Sequence, residues 1–118
     1  MRQALYLQRL KYGAQVSHFD AYRWATEGSA KMLGRSDIGS LVVGKQADIA
    51  FFKLDEMRFS GSHDPLAALL LCGAHKAEHV MVAGRWRVKK GLIEGLDVSP
   101  LLQQHGAAAK ALATKISR

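Results

Sequence analysis

The stretch IGSLVVGKQADIAFF, residues 38–52, decides the fold, because here the chain stops spacing its apolar residues as helices do. Residues 41–43 and 47–52 read as extended arms rich in β-branched and aromatic side chains. Gly44-Lys45-Gln46 joins them as a hairpin, with Gly44 free to take positive φ. The unbroken apolar run at 49–52 predicts a strand buried on both faces or inside a sandwich. No residue in the stretch suggests chemistry, so its role reads as architectural.

Toward the N-terminus the pattern is helical. Residues 1–12 place Ala4, Leu7 and Leu10 on one stripe, with Leu5 beside it. No Ser, Asp or Pro precedes that stripe, which predicts a helix cut from a larger design. This basic start lacks the continuous apolar core of a secretory signal and reads as structure. A second helix opens at Ser17, an N-cap with Asp20 at the third helical position, a short relative of the capping box. Ala21, Trp24, Ala25, Gly28 and Met32 form its expected packing face, and Gly34 ends it.

Toward the C-terminus, Asp64-Pro65 and Gly73 frame a helix over 64–72 that should be buried on most sides. Residues 80–82 and 85–88 make a hairpin turning at Ala83-Gly84. Alternation places Arg85, Arg87 and Lys89 on one face and Trp86 and Val88 on the other. Ser99-Pro100 starts a last helix, striped by Leu101, His105, Ala109, Leu112 and Ile116 and weakened at Gly106. Helices and strands in this order give an α+β fold.

The bulk numbers agree with one domain. The 118 residues are 48 % apolar and 23 % charged, and no apolar run approaches a membrane span. Cys72 is alone, which excludes an intrachain disulfide and favours a reducing, cytoplasmic compartment. Within its apolar helix Cys72 is expected as a packed thiol rather than a nucleophile. The net charge of +7 is spread from Arg2 and Arg9 to Lys115 and Arg118. Such a spread fits solubility or an acidic neighbour better than a nucleic-acid surface.

Candidates for chemistry are few. HKAEH, residues 75–79, matches the inverted zinc-protease pattern H-x-x-E-H. That chemistry needs His75 and His79 on one helical face, yet Gly73 has ended a helix and Val80 begins a strand. The stretch therefore reads as a connection. His18 sits at a helix entry, His63 beside a cap, and His105 on an apolar stripe as a core histidine; none makes a site. Arg85, Arg87, Lys89 and Lys90 could face a phosphate backbone, but Trp86 points away from them, so a solvated strand face is the simpler reading. No glycine-rich phosphate loop occurs. The reading is architecture without machinery: catalytic residues none, cofactor-binding residues none, metal ligands none.

The punctuation itself carries a resemblance. ATEGSAKMLGRSDIGSLVVGKQADIAFF, followed by VMVAGRWRVKKG, resembles the C-terminal end of amidohydrolase-superfamily enzymes. The matching positions are Ala25, Thr26, Ala30, Leu33 and Gly34; then Ile38, Gly39, Leu41, Gly44, Ala47 and Asp48; then Val80, Val82 and Gly84. RQALYLQRLKYGA and FSGSHDPLAALLLCGA are similar to the aminohydrolase branch that includes 8-oxoguanine deaminases and deaminases of triazine or cytosine-type rings. The resemblance implies a (β/α)₈ barrel flanked by a small β-sandwich, with a divalent metal, often zinc, activating water for attack on a C–N bond. It implies that residues 1–34 are the last barrel helices, 36–96 the C-terminal half of the sandwich with an inserted helix at 64–72, and 98–118 a terminal helix packed back onto that sheet. The family's metal ligands would lie upstream of Met1, so the chain is expected to be structural and inactive alone. Uncovered helix faces and sheet edges imply self-association. A freestanding basic interaction module is the competing expectation.

Overall fold

The computed structural model of the chain describes residues 1–116. Residues 117 and 118, the end of the expected terminal helix, lie outside the described residues. Helix α1 spans Arg2–Tyr12. Helices α2, His18–Arg23, and α3, Ser29–Met32, continue one another through a wide turn at Trp24–Gly28. Ser29 Oγ donates to the Trp24 carbonyl and Thr26 Oγ1 to the Tyr22 carbonyl, the side-chain competition that loosens a helix at such a turn. The Ser17 box forms completely: Asp20 N–H donates to Ser17 Oγ at 3.2 Å, and Ser17 N–H to Asp20 Oδ2 at 2.8 Å.

Helix α4, Pro65–Ala68, is capped by Asp64, whose Oδ1 accepts from the Leu66 and Ala67 amides, and runs into a second wide turn, Leu69–Gly73. Strands β1, Ile49–Phe51, β2, His79–Val82, β3, Arg85–Lys89, and β4, Leu92–Ile93, form one antiparallel sheet in the order β1-β2-β3-β4. Helix α5 spans Val98–Ile116, its entry tied by the Ser99 amide to Asp97 Oδ1 at 3.0 Å. The architecture is α+β, as expected.

Several local expectations are corrected. Residues 41–43 form no strand, and the hairpin about Gly44 is an isolated turn; Val43 is fully exposed. A strand needs a neighbour to satisfy its backbone groups, and β1 finds one in β2 instead. The run at 49–52 is not buried on both faces, for Phe51 and Phe52 remain exposed. On the α2–α3 helix Ala21 and Ala30 are buried, whereas Met32 is 90 % exposed and Trp24 is exposed as well. The wide turn shifts the packing face by part of a turn. In α1 the buried residue is Leu5, not the Leu7 and Leu10 stripe.

The hairpin at Ala83-Gly84 is present, both residues having positive φ (48° and 74°), the requirement of a tight two-residue turn. Its faces differ from simple alternation. Trp86 stands opposite Met81, and Val88 opposite Val80, because the register shifts by one residue between them. Neighbours on β2 point to opposite faces, so this bulge puts Trp86 and Val88 on opposite faces. A second tight turn at Lys90-Gly91 leads to β4, a two-residue strand too short to show alternation in the sequence.

The core is small. Leu5, Ala21 and Leu70 form a cluster against which Val16 and Leu66 pack. Helix α5 buries none of its residues and does not fold back onto the sheet as expected. The chain exposes 9377 Å², against about 6,300 Å² for a compact monomer of this mass. Its radius of gyration is 18.6 Å, where about 13.5 Å is typical for this length. Much apolar surface is left uncovered.

Candidate functional site

The residues that suggested chemistry are dispersed. Gly73, at φ 77°, closes the turn after α4, residues 74–78 run outside any helix, and His79 opens β2. His75 and His79 therefore share no helical face, as the connection reading requires. The His79 ring packs against Trp86 at 5.6 Å between centroids and edge-on to Phe51 at 6.3 Å, and its Nδ1 accepts from the Lys90 amide. Glu78 pairs with Lys53 at 3.3 Å. The H-x-x-E-H spacing is thus spent on the entry to a central strand and an aromatic cluster.

Cys72 is exposed, not packed. The wide turn after α4 rotates it away from the face that buries Ala68 and Leu70. His105 is likewise exposed on α5 rather than a core histidine, since nothing covers that helix. His63 is exposed. His18 Nε2 approaches Asp64 Oδ2 at 2.9 Å, although its N–H is not aligned for a hydrogen bond, so the contact is one of charge proximity between two helix entries. The Ala67 amide, first, and the neighbouring His18 hold the Asp64 carboxyl below the usual carboxylate range. Arg85, Arg87, Lys89 and Lys90 are exposed, with Lys89 paired to Glu94 at 3.2 Å. Two shallow grooves of about 350 and 370 Å³ flank α2 and α3 and share Glu27 and Lys31. Among the described residues no group of three or more His, Cys, Asp or Glu side chains is placed to hold a metal ion, so the donor set does not fit a zinc centre.

What the structure does bring together is a strap. Arg35 Nε donates to Asp37 Oδ1 at 2.9 Å, Gln46 Nε2 to Asp37 Oδ2 at 2.7 Å, and the Gln46 amide to the Asp37 carbonyl at 2.8 Å. The Arg35 guanidinium beside Asp37 keeps its carboxyl below the usual range, and Asp37 in turn raises Arg35. This network clasps the ends of residues 37–46. Gly39, at φ 86°, lies so close to the helix that an added Cβ would sit 2.7 Å from the Ala30 Cβ. Beyond the clasp, Asp48 Oδ1 accepts from the Ala83 amide at 2.7 Å, and the Ala47 carbonyl accepts from the Gly84 amide at 3.1 Å. A single 12-residue path thereby ties the α2–α3 helix to the turn between β2 and β3. Spacing alone could not reveal the Asp48–Ala83 reach; the A-D pair within the recurring pattern was its one mark.

The helix, the clasp and the hairpin lie within a segment that matches known proteins. The Amidohydrolase family model matches residues 1–96. The chain is 65 % identical to 8-oxoguanine deaminase of Pseudomonas aeruginosa over 112 residues, 94 % of this chain and 25 % of that enzyme. It is 36 % identical over 89 residues to isoxanthopterin deaminase from an unknown prokaryotic organism, covering 75 % of this chain and 17 % of the relative. Among solved structures, an adenosine deaminase from Xanthomonas campestris with bound zinc superposes with a TM-score of 0.85 at 27 % identity, over 96 % of this chain and 27 % of that one. The chain thus spans between 17 and 27 % of the length of these proteins. Because the helix, clasp and hairpin all fall within the matched residues, the chain belongs to the amidohydrolase family.

Proposed function

We propose that this chain provides the C-terminal packing portion of an aminohydrolase that hydrolyses a ring C–N bond in a purine-like substrate such as 8-oxoguanine. The observation that carries the reading is the 65 % identity with 8-oxoguanine deaminase across nearly the whole chain. In this reading residues 1–34 are the closing helices of a barrel, 36–96 half of a small sandwich, and the described residues from 98 on a terminal helix. The catalytic side chains and the donors for a divalent metal belong to the rest of the enzyme, and none of them to this chain. The exposed surface supports the same assignment: in total it exceeds that of a compact monomer by roughly 3,000 Å². The exposed, solitary Cys72 favours a reducing, cytoplasmic setting. Alone, the chain self-associates through α1 and the open edges of the sheet.

The test is complementation. The Pseudomonas aeruginosa 8-oxoguanine deaminase, stripped of the quarter that this chain matches, is refolded with zinc in the presence and absence of the chain. Ammonia release from 8-oxoguanine is expected only when both pieces are combined. Zinc-dependent release by the chain by itself, or failure of the pair where the intact enzyme works, overturns the reading.

A further inference from the structure

Helix α1 has no local cap. No side chain accepts from its first amides, and no acidic residue stands in its first turn. A tie from far along the chain takes that place: Arg2 Nη1 donates to the Leu71 carbonyl at 3.3 Å, across 69 residues. Gly73 makes room for it, since an added Cβ there would sit 3.0 Å from Arg2 Nη1. Arg58 Nη1 donates to the Gly73 carbonyl at 3.2 Å. Two guanidiniums thus meet the last carbonyls of the wide turn Leu69–Gly73, the negative end of the segment that α4 begins. One turn further into α1, Leu5 lies in the same buried cluster as Leu70 of that wide turn. The start of α1 is therefore held against the wide turn by one polar and one apolar contact.

The place of that start matters in the aminohydrolase reading, on which this inference rests. Each helix of a (β/α)₈ barrel follows a strand and runs back beside it, so its first turn lies at the face where the strands end. That face carries the catalytic loops. As a closing barrel helix, α1 has its first turn there, next to the loop that leaves the preceding strand. We propose that Arg2 is a positioning residue for the reaction: by tying the first turn of α1 to the wide turn Leu69–Gly73, it fixes where the catalytic-face loop enters the helix. Leu5 sets how closely α1 packs, and the Arg2 arm sets where its first residue stands. Arg2 acts through the loop, because its guanidinium is engaged by the Leu71 carbonyl. A misplacement of about 1 Å at a reacting centre can cost up to about 100-fold in rate, even when it originates far from the chemistry.

The test joins the whole chain, from Met1, to the remainder of the Pseudomonas aeruginosa 8-oxoguanine deaminase and follows ammonia release from 8-oxoguanine. In Arg2→Met, kcat should fall about tenfold while KM stays within about twofold. Arg2→Lys, whose ammonium still donates to a carbonyl, should recover part of kcat. Bound zinc and the thermal midpoint should match those of the unsubstituted hybrid, which separates positioning from loss of fold. Lys11→Met, at the far end of α1, should leave kcat and KM unchanged. An inactive unsubstituted hybrid overturns the aminohydrolase reading and this inference with it. An active hybrid in which Arg2→Met keeps its kcat, raises KM alone, or loses zinc or midpoint in step with kcat overturns this inference only.

Discussion

Asp48 and Ala83, 35 residues apart, are joined by a hydrogen bond of 2.7 Å from the Ala83 amide to the Asp48 carboxylate. Ala83 is one of two non-glycine residues with positive φ among the described residues, and the carboxylate satisfies its amide where the chain reverses. One short side chain thereby sets β1 against the β2–β3 hairpin.

Asp48→Ala should lower stability by about 1 kcal/mol, the worth of an exposed, charge-assisted hydrogen bond. Asp48→Asn, which keeps an acceptor oxygen, should recover part of the loss. Chemical denaturation midpoints of the three proteins decide the matter, and an unchanged midpoint in Asp48→Ala refutes the role.

Gly39 has two reasons to be glycine, its φ of 86° and its approach to Ala30. Gly39→Ala should cost about 2–4 kcal/mol, from left-handed strain plus overpacking. Adding Ala30→Gly relieves the closest contact but neither the backbone strain nor the approach to the Thr26 carbonyl at 3.1 Å, so at most part of the stability should return. Full recovery in the double variant would show that φ plays no part.

Leu5 is completely buried, whereas Leu10, on the same helix, is 85 % exposed. Leu5→Ala should destabilise by about 2–4 kcal/mol. Leu10→Ala should change stability by no more than about 0.5 kcal/mol. Equal losses, measured by urea unfolding, would mean that α1 packs differently from the structure described.

Three carboxyls titrate below their ordinary value of 3.8: Asp20 through the Ser17 amide, Asp37 through Arg35, and Asp64 through the Ala67 amide. A carboxyl whose folded value is depressed stabilises the fold above its unfolded value, and that stabilisation is lost as pH falls through the folded value. Unfolding free energy should therefore be flat above about pH 5 and decline on acidification below about pH 4. Replacing Asp37 by Asn should make the decline shallower; an unaltered slope would remove the clasp from the explanation.

The residues themselves determined whatever depends on a few neighbours along the chain. The Ser17–Asp20 box, the Asp64-Pro65 entry, the Gly73 stop and the Ala83-Gly84 turn all stand where their side chains and φ requirements put them. The family likeness was legible for the same reason, as its pattern is this punctuation. Tertiary structure alone decided the rest. Residues 41–43 have strand composition, yet no described strand pairs with them, while β1 pairs with a strand some 30 residues on. The one-residue shift that separates Trp86 from Val88 exists only between two strands. Cys72 and His105 are exposed because burial belongs to the neighbours a residue meets, and a wide turn in one case and an uncovered helix in the other left them none.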